Sequence, residues 1–361
     1  MTDAPSPRPA WSGIGALAEG VCDALPVIPL TERRRMRDHI ADPVANDRIV
    51  AQHELFRLVE LRQPPVPVER DTLRVAYWNI ERCKYGPASG RLLGRVGADV
   101  ALLGEMDFGC ARSGQTHTTR DLADALELGY AYAVEYIELG LGDERERSWH
   151  AGQENAVGYY GNAMLAAVTL ERPAIATIDD SGIWLDEPAP RIGRQMALLA
   201  TVMLGGSPVT VASAHFDSEV PRHRAANMEA LLGAIERYAP GRPVVIGGDF
   251  NTKTIDGKHR DVTELKLRLL AAEPHRFLRP EACEPLFVIA AAAGYDWHAC
   301  NVVATTARQR PDGQPSPPFF RNDFFFSRGV VASDPALVPA VDEAGIAISD
   351  HELLAVTIRL P

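Results

Sequence analysis

Polar side chains that could bind a metal ion or a phosphate recur where apolar segments of this sequence end. Asn79, Glu105 and His215 each follow a short apolar run with the character of a β-strand. Taken singly, each has an ordinary structural explanation, because turn amides, solvated carboxylates and hydrogen-bonded histidines are common at strand ends. Their recurrence is what indicates a site.

The sharpest signal comes from Asp249 and Asn251. They follow a buried apolar run and two glycines that let the backbone bend tightly, and they project to the same side if the chain is extended. Asp323 opens an aromatic strand, and the pair Asp350 and His351 precedes another. For this set, structural accident becomes the weaker explanation.

These residue types favour phosphoester chemistry. Oxygen ligands together with neutral histidines suit Mg²⁺ or Mn²⁺ better than zinc. The five cysteines are scattered without a Cys-x-x-Cys pair, so they predict neither a zinc site nor a disulfide framework. Hydrolysis of a phosphoester needs a metal ion, an activated water and donors for the developing charge.

The elements that must position these residues follow an α/β pattern. From residue 73 onward, short apolar or alternating segments predict strands, and helix-like stretches lie between them at 119–128, 222–238 and 261–270. The stretch 305–322 contains four prolines and predicts a long irregular loop that ends beside Asp323. Its Arg308 and Arg310 are candidates for contact with substrate, and the alternative is that the loop is a solvent-facing connector.

The first part of the chain differs from the rest. Apolar residues have helical spacing at 11–25 and 47–61, and a proline-rich stretch follows at 63–69. We therefore predict a helical N-terminal extension with a proline-rich connector over residues 1–70 and a catalytic domain over residues 71–361.

The composition is that of a folded globular protein. The 361 residues are 46% hydrophobic and 24% charged, which excludes wholesale disorder, collagen and coiled coil. The net charge of -11 disfavours a protein whose main task is to coat nucleic acid. No apolar run is long enough for a transmembrane helix, and no secretory pattern opens the sequence. We expect a cytoplasmic protein, and the sequence leaves its oligomeric state open.

Seven short segments of the sequence resemble, in their order along the chain, the signatures of the endonuclease/exonuclease/phosphatase superfamily. This superfamily includes DNase I-like nucleases, inositol polyphosphate 5-phosphatases and neutral sphingomyelinases. The resemblance runs from about residue 73 to 359 and implies a four-layer α/β sandwich, in which two packed mixed β-sheets are flanked by helices. The segments are Trp78-Asn79-Ile80, Gly104-Glu105, Gly161-Asn-Ala-Met-Leu, Ala214-His215-Phe, Gly248-Asp249-Phe-Asn251, Asn322-Asp323-Phe and Ser349-Asp350-His351.

The resemblance also implies a metal site and a substrate site. Glu105 would be the principal ligand of Mg²⁺ or Mn²⁺, with Asn79 beside it and Asp350 completing or bridging the site. Arg194 and Asn162 would contact the substrate.

The remaining roles implied by the resemblance are catalytic. Asp249 would orient or deprotonate the attacking water, while Asn251 and His215 contact phosphate oxygens. His351 would donate a hydrogen bond to the phosphoryl group and would be held by the carboxylate of Asp323.

The resulting hypothesis is a divalent-metal-dependent phosphoesterase that hydrolyses a phosphomonoester or phosphodiester of a small or lipid-like molecule by direct attack of water. One alternative is a Mg²⁺-dependent nuclease acting on DNA or RNA, which the acidic composition does not favour. Another is a catalytically idle binding module of the same fold. Arg112, His117 and Arg120 could recognise an anionic substrate near Glu105, or could cap and solvate the helix that follows them.

Overall fold

The computed structural model describes residues 13–40, 42–179, 189–255 and 262–361. The strands within these residues are β1 (Leu17–Ala18), β2 (Gly20–Cys22), β3 (Leu58–Arg62), β4 (Leu73–Asn79), β5 (Val100–Phe108), β6 (Gly129–Glu138), β7 (Tyr159–Ala166), β8 (Glu171–Thr177), β9 (Arg191–Gly193), β10 (Met196–Leu204), β11 (Ser207–His215), β12 (Val244–Asp249), β13 (Asp323–Arg328), β14 (Val331–Val338) and β15 (Leu353–Arg359). The helices are α1 (Leu30–Met36), α2 (Pro43–Gln52), α3 (Gly86–Val96), α4 (Thr118–Leu126), α5 (Glu144–Trp149), α6 (Pro221–Tyr238), α7 (Val262–Ala272) and α8 (Leu286–Ala292).

These strands form two mixed sheets. In the described residues, one sheet has the order β1-β8-β10-β11-β12-β13, and the other has the order β14-β15-β4-β5-β7-β6-β3-β2, with β9 paired to β6. The strand segments predicted from alternating and apolar runs fall in these sheets, and the predicted helices correspond to α4, α6 and α7.

The core shows why the sheets pack face to face. Along β4, Val75 and Tyr77 point into a cluster that they share with Val211 and Val245 of the other sheet. The alternate residue Trp78 points outward, beneath helices α3 and α4. Helices α6 and α8 cover the outer face of the second sheet. The order of layers is therefore helix, sheet, sheet, helix, which confirms the predicted four-layer sandwich.

The prediction of a helix over residues 11–25 was wrong for its described part. The chain forms the short strands β1 and β2 there, and β1 pairs with β8. The second predicted helix, at 47–61, ends at Gln52 and is replaced by β3, which pairs with β6. Pairing with the sheet edges outweighs the helical spacing of the apolar residues, because propensity is a weak preference that tertiary contacts override.

The N-terminal segment thus contributes to both sheets. Its buried apolar side chains pack in the same cluster as Tyr132 and Ile137 of β6, and they are Leu25, Ile28, Met36, Ile49, Val50 and Leu55. The division near residue 70 stays a prediction, since these pairings describe contacts and not independent folding.

Two further observations concern the chain as a whole. All five cysteines are free, as expected from their scattered spacing. In the part of the chain that the structure describes, each helix is too short or too polar to cross a bilayer.

We expect that removing residues 1–62 abolishes cooperative folding of the remainder. The deletion uncovers the edge of β6, all of whose residues are buried, and removes the six buried apolar side chains of this cluster together with buried Val59. Each such side chain stabilises the fold by about 1.5–3 kcal/mol, so the loss is comparable to the whole stability of a domain, about 5–15 kcal/mol. Denaturant unfolding of the fragment and the full chain measures this. A fragment with the full chain's stability would support the boundary near residue 70 instead.

Candidate active site

Most residues predicted for the site line one cavity of about 460 Å³. Asn79 and Asp323 lie directly behind it, hydrogen-bonded to residues of the lining. The predicted residues in the lining are Glu105, His215, Asp249, Asn251, Asp350 and His351.

Strand register explains this convergence. The parallel pairing of β4 with β5 places Asn79 opposite the residue that precedes Glu105. The parallel pairing of β11 with β12 places His215 opposite Asp249, and the antiparallel pairing of β12 with β13 places Asp323 opposite Asp249 from the other side. Polar groups at separate strand ends are therefore brought to one edge of the packed sheets.

Glu105 reaches the cavity through an irregularity in β5. The register between β5 and β7 shifts between Leu103 and Met106, so that Glu105 lies in a β-bulge, and its φ is +59°. A positive φ costs a residue other than glycine about 1–2 kcal/mol. A bulge turns a side chain out of the regular alternation. The strain is therefore associated with the orientation of the Glu105 carboxylate toward the cavity.

Asp249 lies at the centre of the site, and its main chain and side chain are fixed by several hydrogen bonds. Its main-chain nitrogen donates to the Tyr77 hydroxyl over 2.7 Å. Its Oδ1 accepts from the main-chain nitrogen of Asn251 over 2.8 Å, and its Oδ2 accepts from Nδ2 of Asn79 over 3.0 Å. Nε2 of His351 lies 3.6 Å from the same Oδ2. These contacts fix the carboxylate beside the imidazole.

His351 forms a dyad with Asp323. Its Nδ1 lies 2.8 Å from Oδ2 of Asp323, which also accepts a hydrogen bond from the Thr306 hydroxyl. Burial opposes protonation of the imidazole, but the carboxylates of Asp323 and Asp249 outweigh it and raise the pKa of His351 well above its ordinary value. The imidazole is therefore held as a cation with Nε2 toward the cavity.

His215 and Asn251 supply further polar atoms. Nε2 of His215 lies 3.9 Å from Oδ2 of Asp249, and its buried Nδ1 has no hydrogen-bond partner among the described residues. Nδ2 of Asn251 donates to the carbonyl oxygen of Phe216 over 3.0 Å, which leaves its second amide hydrogen for a ligand. Both residues are placed to donate to an anion.

Glu105 is ionised in this environment. Burial opposes ionisation, but the Arg82 guanidinium, the imidazoles of His215 and His351 and a hydrogen bond from Asn79 lower the pKa of Glu105 to about 2. The carboxylate is therefore available as an anionic ligand at neutral pH.

Arg82 is a residue of the site that sequence reasoning missed. Its Nη1 lies 3.0 Å from Oε2 of Glu105. It belongs to the turn Glu81–Cys83, in which three consecutive residues have positive φ values of 48°, 64° and 53°. The only local signal was a charged residue after a strand end, which is common on any protein surface.

Arg310 plays a similar part beside Asp350. Its Nη1 lies 2.8 Å from Oε1 of Glu81 and 2.9 Å from Oδ2 of Asp350. Two arginines thus neutralise Glu105 and Asp350, the two carboxylates predicted to bind the metal ion.

The loop at 305–322 lies against the site. Thr306 bonds to Asp323, and the main-chain nitrogen of Arg308 donates to the carbonyl oxygen of Asp350 over 2.8 Å. The side chain of Arg308 pairs with Glu352 at 3.0 Å and is not in the described lining of the cavity. Of the two arginines considered from sequence, only Arg310 faces the cavity.

The donor types fit a hard divalent cation. Glu105, Asp249 and Asp350 present carboxylates to the cavity, and its described lining contains no cysteine. Asn79 does not present its side-chain oxygen to the cavity. Its Nδ2 donates to Oε1 of Glu105 over 3.1 Å and to Asp249. Its Oδ1 accepts from the main-chain nitrogen of Glu81. In this orientation it links two carboxylates instead of offering an oxygen to a metal ion.

A second set of side chains that could bind a metal ion is explained by hydrogen bonding within the protein. Potential ligand atoms of Asp249, Asp323 and His351 lie within 4.8 Å of one another. Since Nδ1 of His351 and Oδ2 of Asp323 are bonded to each other, these atoms are engaged within the protein. The group is better described as the dyad next to Asp249.

The two residues predicted to contact substrate are not brought to the cavity. Nη2 of Arg194 pairs with Asp47 at 3.0 Å, and Nδ2 of Asn162 donates to the carbonyl oxygen of Met196 over 3.0 Å. Both side chains lie outside the described lining of the cavity. Their predicted role therefore has no support from their placement.

The alternatives left open for the loop before α4 are separated by the structure. His117 accepts from the nitrogen of Arg120 as the N-cap of α4, and Nη2 of Arg120 lies 2.8 Å from Glu60. Both have structural roles there. Arg112 lines the cavity but is held by Asp107 through two hydrogen bonds of 2.8 Å.

Comparison with known proteins adds a family and a fold. A family model described as "Endonuclease/Exonuclease/phosphatase family" matches residues 76–351. The catalytic domain of human nocturnin with a bound sulfate anion aligns at a TM-score of 0.50 and 16% identity, over 83% of this chain and 99% of that chain. A mannosyl-6-phosphatase from Bacteroides thetaiotaomicron aligns at a TM-score of 0.51 and 14% identity, over 79% and 99% respectively. No curated protein sequence matches the chain.

Glu105→Gln should weaken binding of Mg²⁺ or Mn²⁺ by about tenfold or more, because an anionic ligand is lost. Mutation of residues that only hydrogen-bond to metal ligands already lowers metal affinity by about 10- to 100-fold. Isothermal titration of the metal ion into the protein measures this without substrate. The matched control is Glu144→Gln, which removes an exposed carboxylate at the rim of the same cavity. Equal metal affinity in both variants would remove Glu105 from the ligand set.

Asp323→Asn should lower the pKa of the His351 imidazole, because the variant removes the adjacent negative charge and keeps the size of the side chain. The proton should then leave at lower pH than in the unaltered protein. NMR titration of the histidine rings, with His351→Gln for assignment, measures the change. Asp38→Asn, at an exposed position, is the control. An unchanged titration would contradict the dyad.

Proposed function

Because the chain belongs to the endonuclease/exonuclease/phosphatase family, we propose that it is a divalent-metal-dependent phosphoesterase. Its substrate would be a phosphomonoester or phosphodiester of a small molecule, cleaved by direct attack of water. Members of this family are generally hydrolases of phosphoesters, and the proposal adds the metal ion, the nucleophile and the size of the substrate.

The observation that carries the proposal is the position of Asp249. Its carboxylate lies 3.6 Å from Nε2 of His351 and 3.9 Å from Nε2 of His215, in a cavity that also contains the carboxylate of Glu105. A proton acceptor, two imidazoles and a separate anionic ligand are the parts that hydrolysis of a phosphoester needs.

Each residue has a distinct role in the proposed reaction. Asp249 accepts a hydrogen bond from the attacking water and takes its proton as the water oxygen bonds to phosphorus. The ester P–O bond breaks in the same step, and the departing oxygen takes a proton from solvent. His351, kept protonated by Asp323, donates through Nε2 to a phosphoryl oxygen as negative charge develops there. His215 and the free amide hydrogen of Asn251 hold the other phosphoryl oxygens.

The metal site would be formed by Glu105 with Asp350. A bound Mg²⁺ or Mn²⁺ would supply charge stabilisation for the phosphate oxygens. Arg82 and Arg310 already balance the two carboxylates, so they are placed to bind substrate oxygens if the carboxylates engage a cation. Asn79 would keep Glu105 and Asp249 at a fixed separation through its two hydrogen bonds.

The cavity favours a small polar substrate over nucleic acid or lipid. A volume of about 460 Å³ is within the range of small-molecule sites, about 300–1,000 Å³. Its lining is mostly charged, which disfavours an acyl chain. Acidic side chains such as Glu138, Asp217 and Glu219 share the lining with the cations, and a long polyanion would be repelled by them.

The test is a substrate panel with the purified full chain. We expect hydrolysis of p-nitrophenyl phosphate, its bis ester or glucose 6-phosphate with Mg²⁺ or Mn²⁺, loss of activity in EDTA, and little cleavage of sphingomyelin, DNA or RNA. Asp249→Asn should lower kcat by at least about 10²- to 10³-fold, while Asp38→Asn should not.

Several outcomes would contradict the proposal. Full activity in EDTA, with negligible bound metal, would exclude the metal-dependent reaction. Preferred cleavage of single- or double-stranded nucleic acid would favour the nuclease alternative. Absence of activity on the whole panel would favour a binding module of the same fold.

A further inference from the structure

Glu135 is a buried carboxyl group that the proposed reaction does not use. It lines the same cavity as Glu105, only 1% of its surface is exposed, and neither carboxyl oxygen has a hydrogen bond of good geometry among the described residues, although a side-chain contact with the adjacent Tyr136 partly stabilises its charged form. An unpaired polar group of this kind costs free energy, and its presence in a native structure calls for an explanation.

The backbone around Glu135 is built to hold this position. The register between β6 and β7 shifts between Val134 and Tyr136, so Glu135 is the extra residue of a β-bulge. The bulge fits closely against β9, since a Cβ atom at Gly193 would lie 2.0 Å from the carbonyl oxygen of Glu135. Glu105 is turned into the cavity by the corresponding bulge of β5, on the opposite side of β7.

Two neighbouring side chains add free acceptor atoms to the same wall. Oε1 of Gln195 and Oε2 of Glu138 are buried, line the cavity and have no partner among the described residues. The other oxygen of Glu138 accepts from Arg112. The wall formed by Glu135, Glu138 and Gln195, here called the acceptor wall, therefore has four buried oxygens without donors.

The acceptor wall cannot be the place where the phosphate binds, because its oxygens would repel those of the phosphate. The donors suited to phosphate are Arg82, His215 and His351, which line the same cavity. A substrate whose phosphate lies there can extend its leaving group toward the acceptor wall, since both belong to one cavity.

We propose that the acceptor wall binds the leaving group of the substrate, and that this group is an uncharged, hydroxyl-rich moiety such as a sugar or another polyol. The inference builds on the proposed phosphoesterase function and names the substrate class of that site. Several hydroxyl groups supply the donors that the four free oxygens need. The oxygens of the acceptor wall would repel a second phosphate on the leaving group, so polyphosphorylated compounds are disfavoured even though Arg112 and Arg191 line the same cavity.

The protonation state of Glu135 favours a hydroxyl group over an ammonium group as its binding partner. Burial, opposed in part by Arg191 and reinforced by the charge of Glu105, raises the pKa of Glu135 well above its ordinary value. A neutral carboxyl group both donates and accepts hydrogen bonds, and so does a hydroxyl group. An ammonium ion only donates and would require the ionised form.

The experiment compares esters that share the phosphate and differ in the leaving group. We would measure kcat/KM of the full chain with Mg²⁺ for glucose 6-phosphate, glycerol 1-phosphate, fructose 1,6-bisphosphate, 2-aminoethyl phosphate and p-nitrophenyl phosphate. The variants are Glu135→Leu, which removes the hydrogen-bonding atoms at similar size, and Glu135→Gln, which keeps a donor and an acceptor. Glu144→Leu, at the exposed rim, is the matched control, because it makes the same substitution at a carboxyl group outside the acceptor wall.

The two monophosphorylated polyol esters should be preferred. In Glu135→Leu, the ratio of kcat/KM for glucose 6-phosphate to that for p-nitrophenyl phosphate should fall by about 10- to 100-fold, as expected when a buried hydrogen bond to a substrate hydroxyl is lost. Glu135→Gln should retain most of this ratio, and Glu144→Leu should leave it unchanged.

Two results would overturn the inference and leave the phosphoesterase function intact. One is hydrolysis of the panel with the same ratio in Glu135→Leu as in the unaltered protein. The other is preference for 2-aminoethyl phosphate that is lost in Glu135→Gln, which would mean that Glu135 binds a cation as a carboxylate.

If no ester is hydrolysed, the proposed function is wrong. The role of the acceptor wall is then tested by measuring how tightly the protein binds a sugar phosphate. Calorimetric titration with glucose 6-phosphate should then show affinity that weakens about tenfold or more in Glu135→Leu. Absence of binding, or equal affinity in the variant and the unaltered protein, would overturn the inference.

Discussion

The hydrogen bonds of Asp249 join the two sheets of the sandwich at the point where the candidate site lies. Asp249 ends β12 of one sheet, and its main-chain nitrogen and carboxylate are bonded to Tyr77 and Asn79 of β4 in the other. The relative position of the sheets is therefore set at the site itself. Because Asn79 also bonds to Glu105, the separation of the two carboxylates depends on the packing of the whole core.

The second constraint is the balance of charge in a buried space. The carboxylate of Glu105 has Arg82 beside it, that of Asp350 has Arg310, and Asp323 has the cation of His351. Isolated buried charges are costly, whereas paired and hydrogen-bonded ones are tolerated. Of these carboxyl groups, Glu105 has a lowered pKa, since the cations around it outweigh the effect of burial.

Backbone strain is concentrated at the same place. Glu105, Asn251 and the turn Glu81–Cys83 all have positive φ, and two β-bulges on either side of β7 place Glu105 and Glu135 in one cavity. Strain of this kind persists only where surrounding contacts impose it. The two bulges thus turn two carboxyl groups into the cavity. In the proposed function Glu105 binds the metal ion, and Glu135 contacts the leaving group.

The sequence by itself determined the α/β class, the main strands and the identity of the residues at their ends, because alternation of apolar and polar residues is a local property. Asp249, His351 and Glu105 could be found in this way. Arg82 and Glu135 could not, since a charged residue after a strand and a carboxylate within one look ordinary until the bulges and ion pairs are known. The same limit applies to β1 and β3, whose partners β8 and β6 are about 70 or more residues away along the chain. Register, bulges and ion pairs depend on contacts between distant segments, and only the tertiary structure decides these.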